Sequence, residues 1–141
     1  MKRVVIVGGA GVFGRRLAEG LHAGTSAYII LAGRSLKRAQ QAAVDLGTPE
    51  ALALDRDTAT KDDIRALRAD LIIDAAGPFQ GADLRFARAV IESGANYIDL
   101  ADARDFVAAF PTLDALARKH NVAAITGASR SARWFGSGFT V

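Results

Sequence analysis

The residue types with the clearest chemical use are Gly9, Gly11 and Gly14, which follow the apolar run Val4-Val5-Ile6-Val7. They fit G-x-G-x-x-G at a strand-to-helix junction. Each glycine then has a physical task. Gly9 lets the chain turn tightly out of the strand. Gly11 keeps the backbone bare, so that a pyrophosphate can approach. Gly14 lets the following helix pack close to the strand. That helix, opening at Val12, presents free N–H groups and the positive end of its dipole to phosphate oxygens. Ala10, Val12 and Phe13 sit in the same turn and are coenzyme-binding candidates beside the glycines. A tight turn with no ligand, or a methyltransferase binding another nucleotide, would use the same pattern.

The end of the second apolar run, Tyr28–Ala32, bears on which dinucleotide. An NAD site commonly places Asp or Glu there, about 20 residues past the fingerprint, to hold the ribose 2′-hydroxyl. This chain has Arg34 and Ser35, with Lys37 and Arg38 close behind. A carboxylate repels a 2′-phosphate, whereas a guanidinium takes it bidentately. Ser35 adds a hydroxyl at a helix start. The expected coenzyme is NADP, ahead of NAD; the plainer alternative makes Arg34 a solvated loop residue. Asp55, closing the third strand, joins the coenzyme set. Ala76, Gly77 and Pro78 follow the fourth strand, at the edge that faces the nicotinamide half in this architecture. Small residues there leave room for a flat ring.

Acid–base chemistry has two candidates, Asp99 at the end of the fifth strand and Asp102 just beyond it. Either could orient a substrate or act as a base, and either could instead cap a turn. His22 and His120 fall at predicted helix ends, where a cation has a structural reason to be. No spacing suits a metal, and no Ser-His-Asp set is evident. Gly8, Gly11 and Gly14 also fit the short-chain dehydrogenase pattern. Its Tyr-x-x-x-Lys active site is missing, because Ala32 and Ala101 stand four residues after Tyr28 and Tyr97.

These residues meet only if the elements between them alternate. Strands are expected at Arg3–Val7, Tyr28–Ala32, Ala51–Leu54, Leu71–Ala76, Asn96–Leu100 and Val122–Thr126. Helices are expected at Val12–His22, Leu36–Leu46, from Thr60, at Asp83–Ser93, and from Pro111 to about His120. In the first helix Phe13, Leu17 and Leu21 recur at i, i+4 and i+8. The alternation implies an α/β, Rossmann-type doubly wound parallel sheet of six strands, order 3-2-1-4-5-6, with helices on both faces. Residues 1–128 form one domain. Residues 129–141 lack periodicity and read as an irregular tail: a loop, an edge strand, or the torn start of a missing substrate domain. Trp134, Phe135 and Phe139 in that tail would need cover, from the sheet edge or from a second copy of the chain as a homodimer.

Composition narrows the setting. The chain has 141 residues, half of them hydrophobic and 23% charged, which suits one globular core. No apolar run approaches the ~20 residues that cross a bilayer, so no membrane partner is expected. Without cysteine there is no disulfide framework, in keeping with a cytoplasmic protein. The net charge is +3. It suits an anionic ligand, but no basic block with interleaved aromatics points to nucleic acid.

Four segments carry a family resemblance: Val7-Gly8-Gly9-Ala10-Gly11-Val12-Phe13-Gly14, Leu31-Ala32-Gly33-Arg34-Ser35, Asp74-Ala75-Ala76-Gly77-Pro78-Phe79 and Gly94-Ala95-Asn96-Tyr97-Ile98-Asp99-Leu100. Together they resemble the N-terminal domain of saccharopine dehydrogenase/reductase-like proteins, from about Lys2 to Thr126. The glycine motif is generic; the Ala-Gly-Pro-Phe and Tyr-Ile-Asp-Leu segments are more specific. The resemblance implies an NADP(H)-binding Rossmann domain of an oxidoreductase. It places Gly9, Gly11 and Gly14 at the pyrophosphate, Arg34 and Ser35 near the 2′-phosphate, and Ala76, Gly77 and Pro78 near the nicotinamide. Family members continue into a second domain that binds a small-molecule substrate and mediates dimerisation. The tail after Gly127-Ala128-Ser129 departs from that continuation. Two functions therefore stand. One is the coenzyme half of an enzyme moving hydride to or from a C–N or C=O substrate. The other is a non-catalytic module that binds or senses NADP(H).

Overall fold

A computed structural model describes residues 2–48 and 50–128, and the backbone of 133–136. Strands β1 (Arg3–Val7), β2 (Tyr28–Gly33), β3 (Glu50–Ala53), β4 (Leu71–Asp74), β5 (Asn96–Asp99) and β6 (Ala123–Thr126) alternate with helices. These are α1 (Val12–Gly24), α2 (Leu36–Leu46), α3 (Lys61–Ala66), α4 (Arg85–Ser93), α5 (Arg104–Ala109) and α6 (Asp114–Lys119). The six strands are parallel in the order 3-2-1-4-5-6, as expected from the alternation. A seventh, β7 (Arg133–Gly136), pairs antiparallel with β6 and takes the sheet edge. The tail thus contains an edge strand; 129–132 and 137–141, with Phe139, lie outside the described residues.

The apolar runs of β1 and β2 follow from burial on both faces. Successive side chains point to opposite sides. Val5, Val7, Ile30 and Ile72 join one layer with Ile64 of α3, Phe86 and Val90 of α4, and Phe106 of α5. Val4, Ile6, Ile29, Leu31 and Ile73 join the other, with Ala18 of α1 and Ala42 and Ala43 of α2. Each fully buried Ile or Leu stabilises the fold by about 1.5–3 kcal/mol, so packing on both faces anchors the strands that carry the site.

Helix ends are set by local chemistry. The Ser35 hydroxyl accepts the Arg38 N–H at 3.2 Å and opens α2. Thr60 and Asp63 form a reciprocal capping box at α3. His22 lies in the last turn of α1 and His120 caps α6.

One helix differs from the sequence expectation. The chain is already helical at Arg104, in α5, and Pro111 sits in a 3-10 turn (Phe110–Leu113) that joins α5 to α6. The reason is packing. Phe106 and Phe110, four residues apart, are both buried, with ring centroids 5.2 Å from Phe79 to Phe106 and 5.7 Å from Tyr97 to Phe110. Proline has no N–H to continue an α-helix, so the tighter turn carries the chain past it. Among the described residues, no helix is long and apolar enough to cross a membrane.

Candidate functional site

The strand order reverses between β1 and β4, and a cleft of about 600 Å³ opens at the carboxyl ends of the strands there. Open α/β sheets bind ligands at this kind of crevice. Three segments wall it: Val7-Gly8 and Ala10-Gly11 after β1, Gly33-Arg34-Ser35 after β2, and Ala75-Ala76-Gly77-Pro78 after β4. Leu54, Arg56 and Asp57 close one end.

The turn after β1 is tighter than the motif alone suggested, and the glycine that makes it is Gly8. Gly8 has φ +81°, a left-handed conformation that side chains disfavour. A Cβ there would also meet the Ala76 nitrogen at 2.8 Å. Gly9 does not have positive φ; a Cβ on it would press on Leu31 at 2.9 Å and on the Ile6 carbonyl at 3.2 Å. Gly11 is open, with only the Gly8 carbonyl oxygen at 3.3 Å. Gly14 is the closest approach, because a Cβ on it would overlap the Gly8 carbonyl oxygen. Gly11 gives α1 no side-chain cap. The amides of the first helical turn are therefore left for an outside acceptor.

Of the twelve coenzyme candidates, Ala10, Gly11, Arg34, Ser35, Ala76, Gly77 and Pro78 line the cleft. Gly9 and Gly14 support it from within the turn. Val12 and Phe13 project from the start of α1 and are each 70% exposed. Asp55 stands behind Arg34, its carboxylate 3.5 Å from the guanidinium Nε. Gly77-Pro78 is a cis peptide.

The two acid–base candidates separate. Asp99 does not line the cleft. It is fully buried, and both its oxygens are used. One oxygen accepts the Ala101 and Gly127 amides, each at 3.0 Å, and the Thr126 hydroxyl at 2.8 Å; the other accepts the Tyr97 hydroxyl at 2.7 Å. This carboxylate ties β5 to the end of β6. Burial and the neighbouring carboxylates push the Tyr97 hydroxyl well above the ordinary tyrosine range. Asp102 is exposed and borders a second hollow with Gln80-Gly81-Ala82, Asp83 and Arg104. The 80–82 segment borders both spaces.

Sequence reasoning missed a buried ion pair. Arg56, past β3, donates from Nε to Asp74 at 3.0 Å and lies 2.8 Å from it through Nη2. The guanidinium also sits over the Phe79 and Phe86 rings, 5.2 and 5.7 Å from their centroids. Asp74 is fully buried; its other oxygen accepts the Ala76 amide at 3.1 Å, which fixes the start of the Gly77-Pro78 loop. Desolvation pushes the Asp74 carboxyl up to about 6, with Asp99 beside it in the β4–β5 register adding to the rise; Arg56 and the Ala76 amide oppose it. The folded pKa lies above the unfolded one. This carboxyl's contribution to stability is therefore complete at acidic pH and is lost as pH rises through about 6. The signal available in the sequence was an Arg three residues after β3 and an acid closing β4. Nothing in the spacing shows that they meet.

A family model described as the saccharopine dehydrogenase NADP-binding domain matches residues 4–126. The chain belongs to that family. The resemblance carried by the glycine, Arg34-Ser35, Gly77-Pro78 and Tyr97–Leu100 segments is thereby established, and the family's coenzyme is NADP. Solved structures agree on the fold. Apo saccharopine dehydrogenase (L-Glu forming) from Saccharomyces cerevisiae superposes with a TM-score of 0.72 at 17% identity, over 90% of this chain and 27% of that one. GenD2 from gentamicin A biosynthesis, in complex with NAD, gives 0.63 at 19% identity, over 89% of this chain and 34% of that one. A citronellol catabolism dehydrogenase from Pseudomonas aeruginosa PAO1 also gives 0.63 at 19%, over 86% of this chain and 70% of that one. The chain thus spans well under half the length of the first two. No curated protein matches the chain.

Proposed function

We propose that this domain holds NADP(H) across the carboxyl edge of its sheet, as the coenzyme half of an oxidoreductase acting on a C–N or C=O bond. The observation that carries this is the bare backbone cradle at Gly8–Gly11, uncapped at the start of α1, facing Arg34 and Ser35 in one cleft. In this reading the Gly11 region and the first amides of α1 take the pyrophosphate. Arg34 and Ser35 take the 2′-phosphate, with Arg38 on the same wall. Ala76, Gly77 and Pro78 give a flat ring an uncrowded surface, held in place by the Asp74–Ala76 bond. Bound NADP(H) supplies or accepts a hydride; the protein supplies orientation and a fixed field. A small-molecule substrate in a parent enzyme would approach from the hollow bordered by Asp102, whose exposed carboxylate is free to orient it. We also propose a cytoplasmic setting for the domain.

The second reading, a non-catalytic module that binds or senses NADP(H), has its own support. The buried acids Asp74 and Asp99 are both committed to bonds within the fold, so neither is available as a base. Calorimetric titration of the full chain with NADPH tests the shared part of both readings. We expect saturable one-to-one binding; absence of heat and of any fluorescence change across the titration would contradict both. Oxidation of bound NADPH by an imino acid or aldehyde would then select the enzyme.

A further inference from the structure

Arg34, the cation placed for a 2′-phosphate, is already engaged by carboxylates of its own chain. Its Nη2 donates to Asp57 Oδ2, 2.6 Å away, and its Nε faces Asp55 at 3.5 Å. The two acids have different duties. The Asp55 side chain accepts the Asp57 amide at 2.9 Å, and its carbonyl accepts the amides of Thr58 and Ala59 at 3.1 and 2.9 Å. Asp55 therefore shapes the turn after β3. The Asp57 side chain takes no part in that turn; it is 61% exposed, lines the cleft, and is bonded to Arg34.

The consequence is electrostatic. A bidentate phosphate needs the guanidinium edge that Asp57 holds. A 2′-phosphate carrying roughly −1.5 to −2 charges must displace that carboxylate and then stay beside it. A ribose 2′-hydroxyl has no such conflict, since it can donate to a carboxylate. We propose that Asp57 is a built-in competitor for the 2′-phosphate and holds down the preference of this site for NADP(H) over NAD(H). The inference rests on the coenzyme reading above.

Two like charges about 6 Å apart near a protein surface repel enough to change an affinity by roughly tenfold. Breaking the exposed Arg34–Asp57 pair adds a smaller cost of the same sign. Titrations of NADPH and NADH into the full chain test this, with wild type, Asp57→Asn and Asp57→Glu side by side and circular dichroism to verify each fold. The ratio of NADPH to NADH affinity should rise about tenfold in Asp57→Asn and stay near the wild-type value in Asp57→Glu, which keeps the charge. If both coenzymes bind and the ratio does not rise in Asp57→Asn, the competitor role is wrong while the coenzyme site stands. If wild type binds neither, the coenzyme reading itself fails and takes this inference with it.

Discussion

Gly14→Ala is expected to cost about 3 kcal/mol or more of stability and to abolish coenzyme binding. The added Cβ would overlap the Gly8 carbonyl oxygen and come within 2.8 Å of the Gly8 carbonyl carbon and 2.9 Å of the Gly9 Cα. All three contacts are backbone, so no side chain can swing aside. Gly8 cannot retreat either, because it packs against Ala75 and Ala76 on the other side. Relief must come from lifting α1 off the sheet, which opens the layer around Ala18 and breaks the cradle. Gly20→Ala is the internal control: it lies in the same helix with nothing within 4 Å of the new Cβ. It should stabilise by about 0.5–1 kcal/mol. Urea unfolding of both variants measures this. A Gly14→Ala protein as stable as wild type would show that the helix does not depend on this approach.

Arg34→Ala should weaken NADPH binding about 30- to 150-fold and NADH binding far less. A charged hydrogen-bonding contact to phosphate contributes about 2–3 kcal/mol, which converts to that range of affinity. Arg34 is well placed for the contact, on the wall of the cleft beside Ser35, whose hydroxyl already accepts at the helix start. NADH lacks the 2′-phosphate, so it loses only a weak, solvent-screened attraction. Parallel calorimetric titrations decide the matter, and equal losses for the two coenzymes would remove Arg34 from the 2′-phosphate subsite.

Legibility of this fold tracks the distance over which each cause acts. Runs such as Val4–Val7 and Tyr28–Ala32 carry their own explanation, since burial on both faces demands continuous apolar sequence. Ser35 and Thr60 likewise mark their helices through bonds to residues three positions away. The glycine motif located the turn, but it could not say that Gly8 takes the left-handed conformation and Gly9 does not. That assignment depends on Ala76 of β4's trailing loop, almost 70 residues later in the chain. α5 was hidden for a similar reason. Phe106 of α5 and Phe110 of the turn after it make sense only against Phe79 and Tyr97. The Arg56–Asp74 pair and the four-bonded Asp99 are invisible to spacing, because their partners come from separate strands and loops. An acid near a strand end, such as Asp99, suits catalysis and strand anchoring equally well until its surroundings are known.

The most direct test of the coenzyme site is amide mapping by ¹⁵N–¹H NMR of the full chain during titration with NADP⁺. Shifts should concentrate at Gly8 to Phe13, at Arg34 and Ser35, and at Ala76 and Gly77; omission of the 2′-phosphate, by using NAD⁺, should diminish those at Arg34 and Ser35 first. Saturable binding whose shifts leave the Gly8–Phe13 turn untouched would contradict the account.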